Sequence, residues 1–263
     1  MTSTVITQDP EIVGEFADLF VPHVQVRAER VAKHQPFLAG ACVSRAIEPI
    51  VEAMRGKGVM AKLQREKVIR AGLDLLNEVG VDGLTTRKLA DHLGVQQPAL
   101  YWHFKNKRAL LDALAHAMLA ERHTHAVPKP GDDWCSFVTG NARSFRKALL
   151  SYRDGARIHA GTRPNGSETA NAETQLRCLT EAGFTTADTT YALMTISYFV
   201  VGSVMEQQSA QADKAERGDM PPPAGTSPLL AEAMETFDRD GFEVAFERGL
   251  SFIIAGMRER LQR

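Results

Sequence analysis

TTRKLADHLGVQQPALYWHFKNK, residues 85–107, has the form of a short helix, a tight turn and a second helix. Thr85 and Thr86 offer hydroxyl oxygens that can cap the helix RKLADHL, and Gly94, with Val95 behind it, supplies the turn that ends it. Pro98 stands where a first helical position belongs, so the second helix starts at about Gln97. In a helix–turn–helix the second helix enters the DNA major groove while the first crosses the backbone. Its side chains suit that task. Gln97 can pair with adenine through N7 and N6, and Arg87 with guanine through O6 and N7. Thr86, Tyr101, His103 and Lys107 are placed for phosphates, which fix register without reading sequence, and Pro98 and Trp102 offer apolar surface to a thymine methyl. Tyr101 and Trp102 alone would read as core aromatics. Adjacent helical residues point about 100° apart, however, so Tyr101, Trp102 and His103 cannot share one core. Leu89, Ala90, Leu93, Val95 and Leu100 are left as the core of this unit.

Outward from this stretch, helical periodicity dominates. Upstream, Val68, Gly72, Leu75, Leu76 and Val79 form one apolar stripe that stops at Gly80. Downstream, ALLDALAHAMLAERH reads as a longer helix. VPKPGDD (127–133), TRPNGSE (162–168) and EAGF (181–184) read as loops, and RGDMPPPAGTSP (217–228) as a Pro/Gly-rich connector followed by two helical stretches, the last near 242–261. No segment sustains a two-residue alternation, so the expected class is all-α, with no internal repeat. The 17 residues 189–205 carry no charge, yet their threonines, serines and Gly202 favour a buried helix over a membrane span.

The net charge of −1 over 263 residues excludes a polybasic nucleic-acid glue and an acidic disordered chain. Its distribution is uneven. Residues 60–108 carry a net +4 between a −1 leader (1–59) and a −4 body (109–263), which suggests a small nucleic-acid module on a larger unit with another task. Three scattered cysteines, Cys42, Cys135 and Cys178, make neither a disulfide framework nor a zinc site. The N-terminus has no secretory pattern, and the expected location is the cytoplasm. Residues 1–59 hold modestly amphipathic pieces. Gly56-Lys57-Gly58, with purine-rich codons, precedes Met60, so translation starting at Met60 and an accessory segment folded against the body are both open.

GLTTRKLADHLGVQQPALYWHFKNKRALLDALA strongly resembles the DNA-binding domain of the TetR family, within it the tetracycline repressors. The resemblance continues through FRKALLSYRDGARIHAGTRP (145–164) and covers residues 60–263. Ala99 departs from the hydroxyl residue expected in that family and leaves the operator sequence open; Tyr198 stands where some members carry histidine. The resemblance implies a TetR-like fold: a three-helix DNA-binding domain (60–106) and a larger helical ligand-binding and dimerisation domain (107–263), after the extension 1–59. It implies a homodimeric repressor on a palindromic operator, released by a tetracycline bound as its Mg²⁺ chelate. On the matching positions His159 would bind the metal, with Glu206 and Thr162 holding its waters. His123, Asn141 and Gln175 would hydrogen-bond the drug, Phe145 would pack on its rings, and Arg163 and Pro164 would lie beside the metal. Singly, each has a bland reading as a surface or core residue; their joint occurrence carries the assignment. The charge-free helix and the last helix (242–261) would form the dimer's four-helix bundle, Ser197 and Gly202 allowing close approach. Two alternatives stand beside this: a TetR-type regulator of another polyketide-like or xenobiotic ligand, and a hydrolytic metal site built from His123, His125, His159 and Glu206. No HExxH or nucleophile elbow supports the latter, so an enzyme is not expected.

Overall fold

The computed structural model describes residues 64–162, 164–218 and 225–262. The expectations for residues 1–59, Cys42 and Arg163 lie outside the described residues. Nine helices and no strands occur among the described residues: α1 (Arg65–Gly83), α2 (Thr86–Leu93), α3 (Pro98–Tyr101), α4 (Lys107–Arg122), α5 (Trp134–Leu150), α6 (Gly155–His159), α7 (Gly166–Glu181), α8 (Thr186–Arg217) and α9 (Pro228–Leu261). None of them is long and apolar enough to cross a membrane.

Local chemistry explains most of the boundaries. The α1 stripe is buried from Val68 to Leu76, and the helical geometry breaks at Gly80, whose φ of 69° is open to glycine at little cost. Thr85 caps α2 by accepting from the Lys88 N–H, and Gly94 ends it in the left-handed conformation. Helix α3 starts on Pro98, as its sequence requires, but lasts a single turn. Asn106 caps α4, Asp133 caps α5, and Gly241 (φ 71°) breaks α9 into the two closing stretches that the periodicity suggests.

One loop is shorter than its composition suggests. The stretch 162–168 ends inside α7, because Asn165 and Glu168 make a reciprocal capping box: the Asn165 side chain accepts from the backbone of Glu168, and Glu168 accepts from the backbone of Asn165. That N-x-x-E signal is plain in the sequence once sought.

A single apolar core runs from Val68 through Leu114 and Phe137 to Met257. The short helix α6 ties the DNA-reading end to the rest. Asp154, just before it, accepts from the Val81 N–H (2.9 Å) freed by the break at Gly80, and Arg157 pairs with Asp82 (3.0 Å). Arg153 reaches the Glu78 carbonyl, its own N–H donates to Asn77, and Lys107 at the start of α4 donates to the Val81 carbonyl.

Candidate functional site

The first site is the surface of α2 and α3. Leu89, Ala90 and Leu100 are buried, with Leu93 and Val95 packed against them, which leaves the remaining side chains facing outward. Trp102 is 77% exposed and Tyr101 49%, so neither aromatic serves the core. Arg87, Pro98 and Lys107 are exposed, while Thr86, Gln97 and His103 are half-buried. The Gln97 amide donates to Thr86 Oγ1 (2.9 Å) and to the Tyr101 hydroxyl (3.4 Å). Three side chains assigned to DNA therefore order one another before any DNA arrives, which lowers the entropy cost of presenting Gln97 to a base. Lys107, assigned to a phosphate, holds the Val81 carbonyl with one of its donors at 3.2 Å.

The second site is a cavity of about 330 Å³ among α4, α5, α7 and α8, within the size range of small-molecule pockets. His123, Asn141, Phe145, His159, Thr162, Pro164 and Gln175 all line it. The polar end is built around the end of α4. Ser144 Oγ lies 3.1 Å from His123 Nδ1, and Asn141 sits 3.4 Å from His123 Nε2 while donating to the His125 carbonyl. Gln175 donates to the Ala126 carbonyl at 2.7 Å. Burial, helped by the nearby His125 and His159, pushes the His123 pKa down to about 4, so the ring is neutral around pH 7 and can both donate and accept. Phe145 stands between the two histidines, its ring centroid 5.5 Å from His123 and 5.0 Å from His159.

His159 is the last residue of α6. Its Nδ1 is buried and has no hydrogen-bond partner among the described residues. Burial holds its pKa below the ordinary histidine value; Glu168 opposes that shift and His116 adds to it. The Thr162 hydroxyl lies in the following turn, donating to the Ile158 carbonyl and accepting from Arg108 at 3.4 Å. A neutral imidazole with a spare nitrogen at one end, an amide-rich end opposite and apolar walls between can hold a flat, partly polar molecule.

A model described as bacterial regulatory proteins of the tetR family matches residues 68–114, and the tetracyclin repressor-like C-terminal domain matches residues 127–261. The tetracycline repressor protein class A from transposon 1721 of Escherichia coli is 65% identical over 201 residues, covering 76% of this chain and 93% of that protein. The chain belongs to the TetR family.

Solved TetR structures share the architecture. That of class A TetR with 5a,6-anhydrotetracycline and magnesium superposes with a TM-score of 0.62 at 56% identity, over 75% of this chain and 99% of that one. The Streptomyces coelicolor TetR-family protein ActR, in complex with (S)-DNPA, reaches 0.63 at 28% identity, over 76% of this chain and 99% of its own. TetR-family proteins are transcriptional regulators, and among the described residues the geometry does not gather His123, His125, His159 and Glu206 into one site. His125 turns to Asp132 (2.7 Å) and packs on Phe137, and Glu206 is exposed on α8, off the cavity wall. Glu206 is thus the one described member of the expected ligand set that its own chain does not bring to His159. Ser197, expected at a contact between helices of two subunits, lines the cavity. Sequence reasoning also passed over Ser144, which orients His123, and Glu168 and Asn171, which line the cavity.

Proposed function

We propose that this TetR-family chain is a homodimeric repressor that binds a palindromic operator in the cytoplasm and leaves it when a magnesium–tetracycline complex fills the cavity. The observation that carries the ligand is His159: a buried, neutral imidazole with an unpartnered nitrogen, beside the Thr162 hydroxyl, in a cavity with apolar walls. Mg²⁺ prefers oxygen, keeps several waters and takes few direct protein ligands, so one imidazole and water-holding groups fit it. When bound, the cation would clamp the drug's chelating oxygens to this end. His123, Asn141 and Gln175 would then hold the opposite polar edge, Phe145 would pack on the rings, and Arg163 and Pro164 would flank the metal end.

Glu206 follows Met205 on the outer side of α8, where Tyr191, Met194 and Tyr198 are also exposed; α9 adds Val244 and Phe252. An apolar face of that size is covered by a second copy as a four-helix bundle. A carboxylate on it faces the other subunit, so Glu206 would hold metal-bound water in the second copy's cavity. The DNA unit (60–106) meets the body (107–263) at the Asn106 cap of α4, and the symmetric dimer presents two α3 helices to major grooves about 34–36 Å apart.

Release follows from what His159 and Thr162 touch. Thr162 accepts from Arg108 in the first turn of α4, and α6 holds the broken end of α1 through Asp154 and Arg157. Movement of the loop at 159–162 would therefore be passed to the start of α4 and to the end of α1. To turn an operator-bound population of 99:1 into 1:99, the ligand must favour the released state by about 5.5 kcal/mol. The test is a gel retardation of DNA flanking the chain's own gene, with tetracycline in Mg²⁺ or in EDTA. Retardation lost in Mg²⁺ and kept in EDTA is expected; no retardation at all would sink the reading. Release equally efficient in EDTA would favour a TetR regulator of another polyketide-like or xenobiotic ligand, a reading to which ActR with (S)-DNPA lends weight.

A further inference from the structure

We propose that Glu168, held in the cavity wall by His116, is a specificity-determining residue that biases the cavity toward ligands carrying a cation over the same ligands without one. This rests on the magnesium–drug reading above and adds a residue to it.

Glu168 occupies the third position of α7, and a capping box accounts for only one of its oxygens: Oε2 accepts from the Asn165 N–H at 3.0 Å. Oε1 lies 2.7 Å from His116 Nδ1, on α4. Both side chains are about one-fifth exposed, 21% for His116 and 23% for Glu168, which is unusual for a capping glutamate that needs only its own backbone. The two anchors stop the carboxylate from swinging into solvent and fix it on the wall that His159 and Thr162 also line. The His116 ring, at hydrogen-bond distance, orders the Glu168 carboxylate from the neighbouring helix.

A fixed negative charge in a partly desolvated cavity favours positive occupants and opposes negative ones. A tetracycline with its chelated Mg²⁺ and the same drug stripped of metal differ in this respect and little in shape. The charge thus discriminates between them, where Phe145 and the apolar wall cannot.

The experiment titrates the full-length chain and its Glu168→Gln variant with 5a,6-anhydrotetracycline, once in Mg²⁺ and once in EDTA, alongside operator retardation. Glutamine keeps the size of the side chain and an oxygen for the Asn165 N–H, so fold and operator binding are expected to persist. Affinity in Mg²⁺ should fall about tenfold while affinity in EDTA stays within about twofold. Equal losses in both media, or no loss in either, would overturn the assignment and leave Glu168 a cap. His116→Leu removes the anchor but not the charge, and should cost less in Mg²⁺ than Glu168→Gln; an equal or larger loss would place the effect in the strut and also overturn it. If the magnesium reading itself is wrong, the native chain gains nothing from Mg²⁺, a result that removes both.

Discussion

His123 and His159 flank the same phenylalanine, yet they are set up differently, and the difference assigns their work. His123 has both ring nitrogens engaged, by Ser144 and Asn141, whereas His159 keeps Nδ1 buried and unpartnered. In the proposed reading the first hydrogen-bonds the drug and the second ligates the metal. His159→Ala should therefore abolish drug-induced release and leave operator retardation intact. Gln97→Ala should do the reverse, weakening operator binding by about 1–3 kcal/mol with drug titration unchanged. Equal damage to both activities by either substitution would contradict the separation. His123 also makes stability depend on pH. Its pKa is about 4 folded against about 6.5 unfolded, so between those values the unfolded chain binds more protons. Stability due to this residue is complete above about pH 6.5 and lost as pH falls toward 4, by roughly 3 kcal/mol in total. Urea midpoints across that window should converge between the native chain and His123→Asn at the acid end; a constant gap would refute this origin. The cavity residues were legible in the sequence because they sit at positions matching a family. Ser144 and Glu168 were not: each acts by touching a residue on another helix, a relation that spacing along one chain does not carry.

Helix boundaries were the most legible feature, because caps, glycines and prolines are local: Thr85, Gly94 and Pro98 each do in the structure what their chemistry dictates. Helix α6 was not legible, since nothing within GARIH demands a helix and its place is set from outside. Gly155 sits so close to the end of α5 that a Cβ there would lie 2.1 Å from the Leu149 carbonyl oxygen, backbone that cannot step aside. Asp154 before it holds a left-handed φ of 57°, the sole non-glycine case among the described residues, kept there by its bonds to Val81 and Arg157. The partner of that arrangement is Gly80, where a Cβ would meet Asp154 Oδ2 at 2.8 Å at a φ no alanine favours. Gly80→Ala should thus cost about 1–3 kcal/mol in chemical denaturation. Gly155→Ala should cost more, about 2–4 kcal/mol, because overpacking against backbone adds to the loss. A neutral outcome at Gly155 would mean that α6 can shift freely along α5, and the route from His159 to the DNA unit would lose its rigid element.

At the scale of the whole molecule the sequence foretold a basic reader on an acidic body, but a single chain leaves the proposed ligand site without the Glu206 carboxylate that the resemblance implies. Glu206 stands on the outer side of α8 beside Met205, close in sequence to a face that includes Tyr198, which is 66% exposed. The family resemblance put Glu206 with His159 without saying through which subunit, and helical spacing shows which residues share a face but not what covers it. Symmetry supplies a decisive test. Consider a mixed dimer made of one His159→Ala subunit and one Glu206→Ala subunit, purified by a different tag on each. If Glu206 serves the other copy, the cavity of the Glu206→Ala subunit has its own His159 and receives an intact Glu206 from the partner subunit. The second cavity lacks both groups. One tight magnesium-dependent site per mixed dimer should then appear in fluorescence titration, although neither homodimeric variant has any. If Glu206 instead served its own chain, each cavity of the mixed dimer would lack one group and no tight site would return. Restored stoichiometry of one site per dimer thus requires the crossed arrangement, because a two-fold axis between the α8–α9 faces is what carries a carboxylate from one subunit to the histidine of the other.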